Sequence, residues 1–280
     1  MAKCYATLNQ LKDPGYLNLT STTDYDATLL RILQNVSEDI DHLCFRHFDC
    51  IEGTQYFDGS GRTLLPPEDI LSISALVLDM DGDGTYETTL ASTDYTLYPL
   101  SGYSIWPKLY LKLNYRSTCG GFASGIPAGV KITGVFGHGD GNSATPYVAT
   151  GISGTVATTS GTTLTLSAEG TLQVGQTLRI DSEQVYVTAL STNGDKTATI
   201  VRACNGTTGA VHSTAATYVY TYPGPVVEAC LLWATNVWKQ RENPTVFRSG
   251  NAITGEYQLN SDIEAVMRKR LDHHIKKKLV

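Results

Sequence analysis

The chain has 280 residues, of which 41% are hydrophobic, 17% charged and 9% aromatic. That length suits about two domains, and the apolar share excludes wholesale disorder. The net charge is −6, which argues against a protein that grips nucleic-acid phosphates, because that task needs concentrated positive charge. The charge is uneven. Residues 261–280 carry Arg268, Lys269, Arg270, Lys276, Lys277 and Lys278 against Asp262, Glu264 and Asp272, so this end is +3 and the remainder −9. An acidic body with a basic end predicts docking of that end on an acidic partner.

Cys4, Cys44, Cys50, Cys119, Cys204 and Cys230 are scattered without a CxxC pair, which suits reduced, mostly buried thiols better than a disulfide scaffold or a zinc site. The first residues lack an apolar stretch of the signal-peptide kind, and no run of 18 apolar residues occurs, so a soluble chain without a membrane span is expected.

In chain order, the first predicted element is a helix over about 22–46. Leu29, Leu33, Val36, Ile40 and Leu43 recur at helical spacing, and Asp26, Arg31, Glu38, Asp39 and Asp41 fall mostly off that stripe. An irregular stretch follows. Strands are then predicted at 73–78, 85–90, 95–98, 108–115 and 130–136, continuing one sheet. The motif Gly137-His138-Gly139-Asp140-Gly141 reads as a connector. From 147 to 221 the chain is rich in Thr, Gly, Ser and Val, with short strands and turn residues at intervals near ten, the pattern of a small barrel or sandwich. Pro225 opens a helix over 226–240 that carries Trp233 and Trp238, expected as core or subunit-interface anchors. Ser261 is the expected cap of a last helix, 262–279, with Ile263, Val266, Leu271 and Ile275 as its apolar stripe.

The expected fold class is α+β, with a helical body and a small antiparallel sheet, interrupted by an all-β barrel or sandwich. The expected domains are 1–146 and 222–280 as the two parts of the body, and 147–221 as the insert.

No Walker A, GxSxG or HExxH pattern occurs, so an enzyme is not expected, nor a cofactor. Asp79, Asp81 and Asp83, followed by Gly84, resemble the start of a calcium loop. The twelfth position, however, is Leu90 instead of a bidentate Glu, so a structural turn is the stronger reading and a weak cation site, with help from Glu87, the lesser one.

Several segments resemble the head–tail connector, or neck adaptor, proteins of long-tailed bacteriophages. They are Leu29-Leu30-Arg31-Ile32 through Arg46-His47-Phe48, Tyr56-Phe57-Asp58-Gly59, Ile73–Asp79, Asp94–Pro99, Val130–Gly137, and the proline-started helix from Pro225 to Arg241. In that family the glycine-ended strand runs almost directly into the helix, whereas here a long insert intervenes. The insert, through 174–187 and 202–212, resembles a β module of phage structural proteins.

The resemblance implies a non-enzymatic virion protein located at the neck and assembled in the host cytoplasm. It would form a homo-oligomeric ring, usually of twelve copies, between the portal protein and a tail terminator, stopper or other neck protein. DNA would pass through without specific binding, and no membrane would be involved. The basic residues Arg268, Lys269, Arg270, Lys276, Lys277 and Lys278 would dock on the portal. The alternative expectation is a virion or surface carbohydrate-binding protein that uses the insert, whose aromatic residues are Tyr147, Tyr186, Tyr218, Tyr220 and Tyr222.

Overall fold

The computed structural model describes residues 3–67, 69–100, 107–139, 146–168, 172–191, 196–242, 248–251, 256–259 and 263–276. A short helix, α1 (Leu8–Lys12), starts at a reciprocal cap, with the Thr7 hydroxyl accepting from Gln10 N–H and the Gln10 side chain accepting from Thr7 N–H. Helix α2 (Asp26–Cys44) follows. It buries the predicted stripe together with Ile32, Ser37, Asp41 and Cys44, and it ends at Phe45, whose backbone is left-handed at φ 52°. The burial of Asp41 departs from the sequence reading, which placed it off the apolar face.

Seven strands come next: β1 (Cys50–Phe57), β2 (Leu64–Leu65), β3 (Ile70–Leu78), β4 (Thr88–Leu90), β5 (Tyr95–Tyr98), β6 (Tyr110–Leu113) and β7 (Val130–Gly137). They form two antiparallel sheets in place of the single one expected, with orders β1-β7-β3-β4 and β2-β6-β5. Alternation in β7 turns Val130, Ile132 and Phe136 inward, where they meet Leu76 and Leu78 of β3 and Leu111 and Leu113 of β6 in one core. Each fully buried aliphatic side chain there contributes about 1.5–3 kcal/mol.

The next six strands are β8 (Tyr147–Val156), β9 (Thr163–Leu166), β10 (Thr177–Ile180), β11 (Glu183–Leu190), β12 (Thr197–Val201) and β13 (His212–Tyr220). They close into a barrel in the order β10-β11-β12-β9-β8-β13, filled by Ile152, Val156, Leu164, Leu178, Ile180, Val185, Val187 and Ile200. Tyr147 pairs with Tyr220, so the chain enters and leaves the barrel at adjacent points. Helix α3 (Gly224–Glu242), the hairpin β14 (Arg248–Asn251) and β15 (Glu256–Leu259), and helix α4 (Ile263–Arg270) complete the described chain.

The expectation of a helical adaptor body is therefore overturned. Strands account for 34% and helices for 23%, with a closed six-stranded barrel, three further sheets and four α-helices among the described residues. Two physical reasons account for the error. Strand β1 lies at a sheet edge and carries Glu52, Gly53, Thr54 and Gln55, so it shows no apolar alternation and reads as irregular. The last helix spans only Ile263–Arg270, and its inward residue is Met267, with Leu271 buried just beyond it, while Val266 is exposed. Ser261 lies outside the described residues.

Two compact units result. One comprises Met1–Arg46, Tyr147–Cys204 and Thr208–Lys277, and so joins the barrel to the helices; the other is centred on His47–Pro146. Within the first unit, α2 packs on α3 although about 180 residues separate them in sequence. The N-terminal segment is bound to the barrel there, with Leu8 N–H donating to Val174 O at 3.0 Å and the Cys4 thiol 3.0 Å from the Tyr186 hydroxyl.

In the second unit, Gly137 ends β7 and His138 just beyond it is buried, so this part of the motif is not the connector expected from sequence; Asp140 and Gly141 lie outside the described residues. Gly137 has φ 121°, and a Cβ there would lie 1.7 Å from Asp49 O, a backbone atom that cannot step aside. Gly137→Ala is accordingly expected to lower the unfolding free energy by about 2 kcal/mol or more, measured by denaturant titration of the full chain.

Candidate functional site

No nucleophile–base constellation was expected from sequence, so the candidate sites are surfaces and charge clusters. The loop between β3 and β4 holds Asp79, Asp81, Asp83 and Glu87, whose oxygens lie within 4.8 Å of one another. Asp79 is buried, and its two oxygens accept from Gly82 N–H at 2.6 Å and Gly84 N–H at 2.9 Å. Asp81 accepts from Asp83 N–H at 3.2 Å, and Asp83 from Thr85 N–H at 2.7 Å. The Thr85 hydroxyl and N–H also hold the Asp83 carboxyl below its usual range. The deepest carboxylate of the loop is thus committed to its own backbone, a donor set that suits a self-bonded turn better than a resident cation. The loop displays Asp81, Asp83, Glu87 and the apolar Met80, which is 40% exposed. Asp79→Ala is expected to cost about 2 kcal/mol of stability, and Asp81→Asn or Asp83→Asn below about 0.5 kcal/mol. Millimolar calcium should leave their melting curves unshifted.

The second surface is basic. Arg268, Lys269 and Arg270 are all exposed on α4, which is anchored by Met267 and Leu271. The Arg268–Glu264 pair spans 3.0 Å on the surface and contributes little. Past α4, Lys276 N–H donates to Cys44 O at 2.8 Å, which brings the segment across the C-terminus of α2. Burial pushes the Cys44 thiol up to about 12, opposed by the nearby Arg46 and Arg268 guanidinium groups. Burial, together with Arg46 and His273, holds His274 below its usual value. At this corner sits Phe45, 66% exposed in its left-handed conformation. Lys277 and Lys278 lie outside the described residues.

Of the two tryptophans on α3, Trp238 is buried edge-on to Tyr25 at 5.1 Å between ring centres, with the Arg241 guanidinium 5.8 Å from the Trp238 ring; Trp233 is half-buried. Sequence reasoning missed Phe45 and Met80 as surface features. The signal in each case was an apolar residue inside a charged segment, at a helix end and in an acidic turn.

A third cluster lies within the barrel. Arg202 binds Glu183 through two donors at 2.6 Å each, and Glu183 also accepts from Ala203 N–H at 2.9 Å and Ala210 N–H at 3.0 Å. The two ring nitrogens of His212 lie 2.8 Å from Asp181 and Glu183 oxygens. Burial alone would raise the Glu183 carboxyl, but these hydrogen bonds outweigh it and hold the group at about 2. Arg202 further donates to Thr158 O and Gly161 O at 3.0 Å, so the cluster ties the loops after β8 and β12 to β11. Its chemistry is structural.

Comparison of the chain with protein-family models, with curated proteins and with solved structures finds no match in any of the three.

Because the folded value for Glu183 lies below its ordinary 4.5, the stabilisation it brings is complete above pH 4.5 and is lost as pH falls toward 2. That contribution is on the order of 3 kcal/mol. Guanidinium unfolding as a function of pH is expected to show this slope, and Glu183→Gln to remove it while lowering stability at pH 7.

Proposed function

We propose that the chain is a structural subunit of a phage neck, forming a ring between the portal protein and a tail terminator, stopper or other neck component. Three things support this reading. The first is the sequence resemblance, whose segments run from Leu29 to Arg241. The second is the packing of α2 on α3, which joins sequence-distant stretches into one helical scaffold. The third, and the one that carries it, is the separation of charge on a chain of net −6, in which a basic corner around Phe45 stands apart from an acidic remainder. A multi-copy acidic channel would let DNA slide without adhering. The basic corner offers a contact to a neighbouring acidic protein surface, with the portal or an adjacent copy as its partner.

The tyrosines of the insert favour no sugar-binding reading. Tyr186 and Tyr220 are buried, Tyr147 packs edge-on to Tyr220 at 5.4 Å, and Tyr222 contacts Tyr220 at 4.6 Å and Tyr5 at 4.8 Å, which leaves Tyr218, 38% exposed, as a single open ring and not a binding platform.

Electron microscopy of the purified chain, alone and mixed with a portal of a long-tailed phage, tests the proposal. Rings that seat coaxially on the portal are expected. A chain that stays monomeric under both conditions would overturn it.

A further inference from the structure

Phe45 occupies an expensive position. A left-handed backbone at a helix end favours Gly or Asn, and the Cβ of a bulky side chain there crowds the following carbonyl. In return Phe45 gains little within the chain, since 66% of it faces solvent. Strain of this kind at an exposed aromatic points to an external contact. Its surroundings say of what sort. Arg46 and Arg268 lie near Cys44 at the C-terminus of α2, the backbone of Lys276 crosses it, and Lys269 and Arg270 follow on the adjoining α4; these five cations face four acids, Glu38, Asp39, Glu264 and Asp272, which leaves a small positive excess. The corner therefore fits a partner that is acidic and carries an apolar tip.

This chain itself supplies such a partner. The β3–β4 loop carries Asp79, Asp81, Asp83 and Glu87 with no basic residue from 79 to 87, and it exposes Met80 among them. Its own hydrogen bonds hold it in shape before any partner arrives, so little ordering entropy is lost on docking. The loop and the corner belong to different compact units; Met80, Asp81, Asp83, Glu87, Phe45 and Arg268 are exposed, and Arg46 and Lys276 are half-buried.

We propose that copies of this chain associate head to tail, with the Met80–Glu87 loop of one copy seated on the Phe45 corner of the next, among Arg46, Arg268 and Lys276. This rests on the ring reading above and names the partner of the basic surface as a second copy, ahead of the portal. Two different patches in contact make a heterologous interface, which propagates until rotation closes it into a ring. Charge complementarity sets the register and speeds encounter, and the Met80–Phe45 contact supplies apolar burial.

The test uses the full-length chain and sedimentation velocity at about 50 mM and about 500 mM salt. The wild type is expected to assemble at low salt and to dissociate at high salt. A loop variant (Asp81→Asn with Asp83→Asn) and a corner variant (Arg46→Gln, Arg268→Gln and Lys276→Gln) should each associate at least about tenfold more weakly. Each variant keeps one intact surface, so mixing the two should yield one-to-one dimers and nothing larger. Phe45→Gly should weaken association while holding or raising the melting temperature, which separates docking from misfolding.

Loop and corner variants that assemble as the wild type does would overturn the inference, as would a mixture that stays monomeric. Rings that persist in the variants would sink the inference and leave the ring reading standing. Corner variants that still form rings but lose portal binding would assign the corner to the portal and do the same. Open filaments with the expected mixing behaviour would keep the inference and remove the closed ring. A wild type that never self-associates would overturn the inference, while the ring reading would still rest on the mixture with a portal.

Discussion

The buried contact of Lys3 and Tyr5 with Asp41 is the interaction on which the larger unit turns. Lys3 and the Tyr5 hydroxyl both donate to the Asp41 carboxylate, and the Lys3 ammonium also lies 5.2 Å from the centre of the Tyr5 ring. One turn earlier on α2, Ser37 accepts from Tyr5 N–H at 3.0 Å and donates to Leu33 O at 2.7 Å. A buried ion pair adds little net stability against a well-packed apolar alternative, yet removing one partner leaves an uncompensated charge at a cost of about 3–5 kcal/mol. The contact thus selects one placement of the first residues over all others. From that placement follow the backbone bond from Leu8 to Val174, the Thr7–Gln173 contact and the Tyr5–Tyr222 edge contact. The segment touches α2, the barrel and the lead-in to α3, and so fastens three parts of the unit together.

That fastening changes what the inserted region is. Entry and exit at the paired Tyr147 and Tyr220 make the barrel a tolerable interruption, because the chain returns to where it left. Integration then goes further than tolerance. Tyr186 on β11 is fully buried, next to the Cys4 thiol and within 3.4 Å of the Gln34 amide on α2, and burial raises its hydroxyl far above the usual range. A barrel residue therefore forms part of the helical core. The Glu183–Arg202–His212 cluster maintains the barrel from within, holding loops that apolar packing alone would leave loose.

Function, on this reading, lies on the surface rather than in a cleft. The acidic loop is self-bonded and rigid, and the basic corner is built around a helix end whose carbonyls favour cations. Neither surface needs a cofactor, and both suit contacts that form many times over in an assembly. Stability spent on Phe45 and on clustered like charges is the kind of local conflict that functional positions keep while the core stays consistent.

Periodicity made α2, α3 and most strands legible, because a single buried face imposes a spacing of 3.6 or 2 on the residues that line it. Strand β5 falls on the predicted residues, and the strand-rich middle closes as a barrel. The basic end and the acidic β3–β4 loop were legible for the same reason, since charge is a property of composition. What composition and spacing determine is each segment's preference taken alone. The edge strand β1, the role of Asp41, the division into two sheets around one core and the fusion of barrel with helices depend on partners more than thirty residues away. Hydrogen bonds and buried charges are pairwise across space, so only the folded chain decides which distant residue completes each of them.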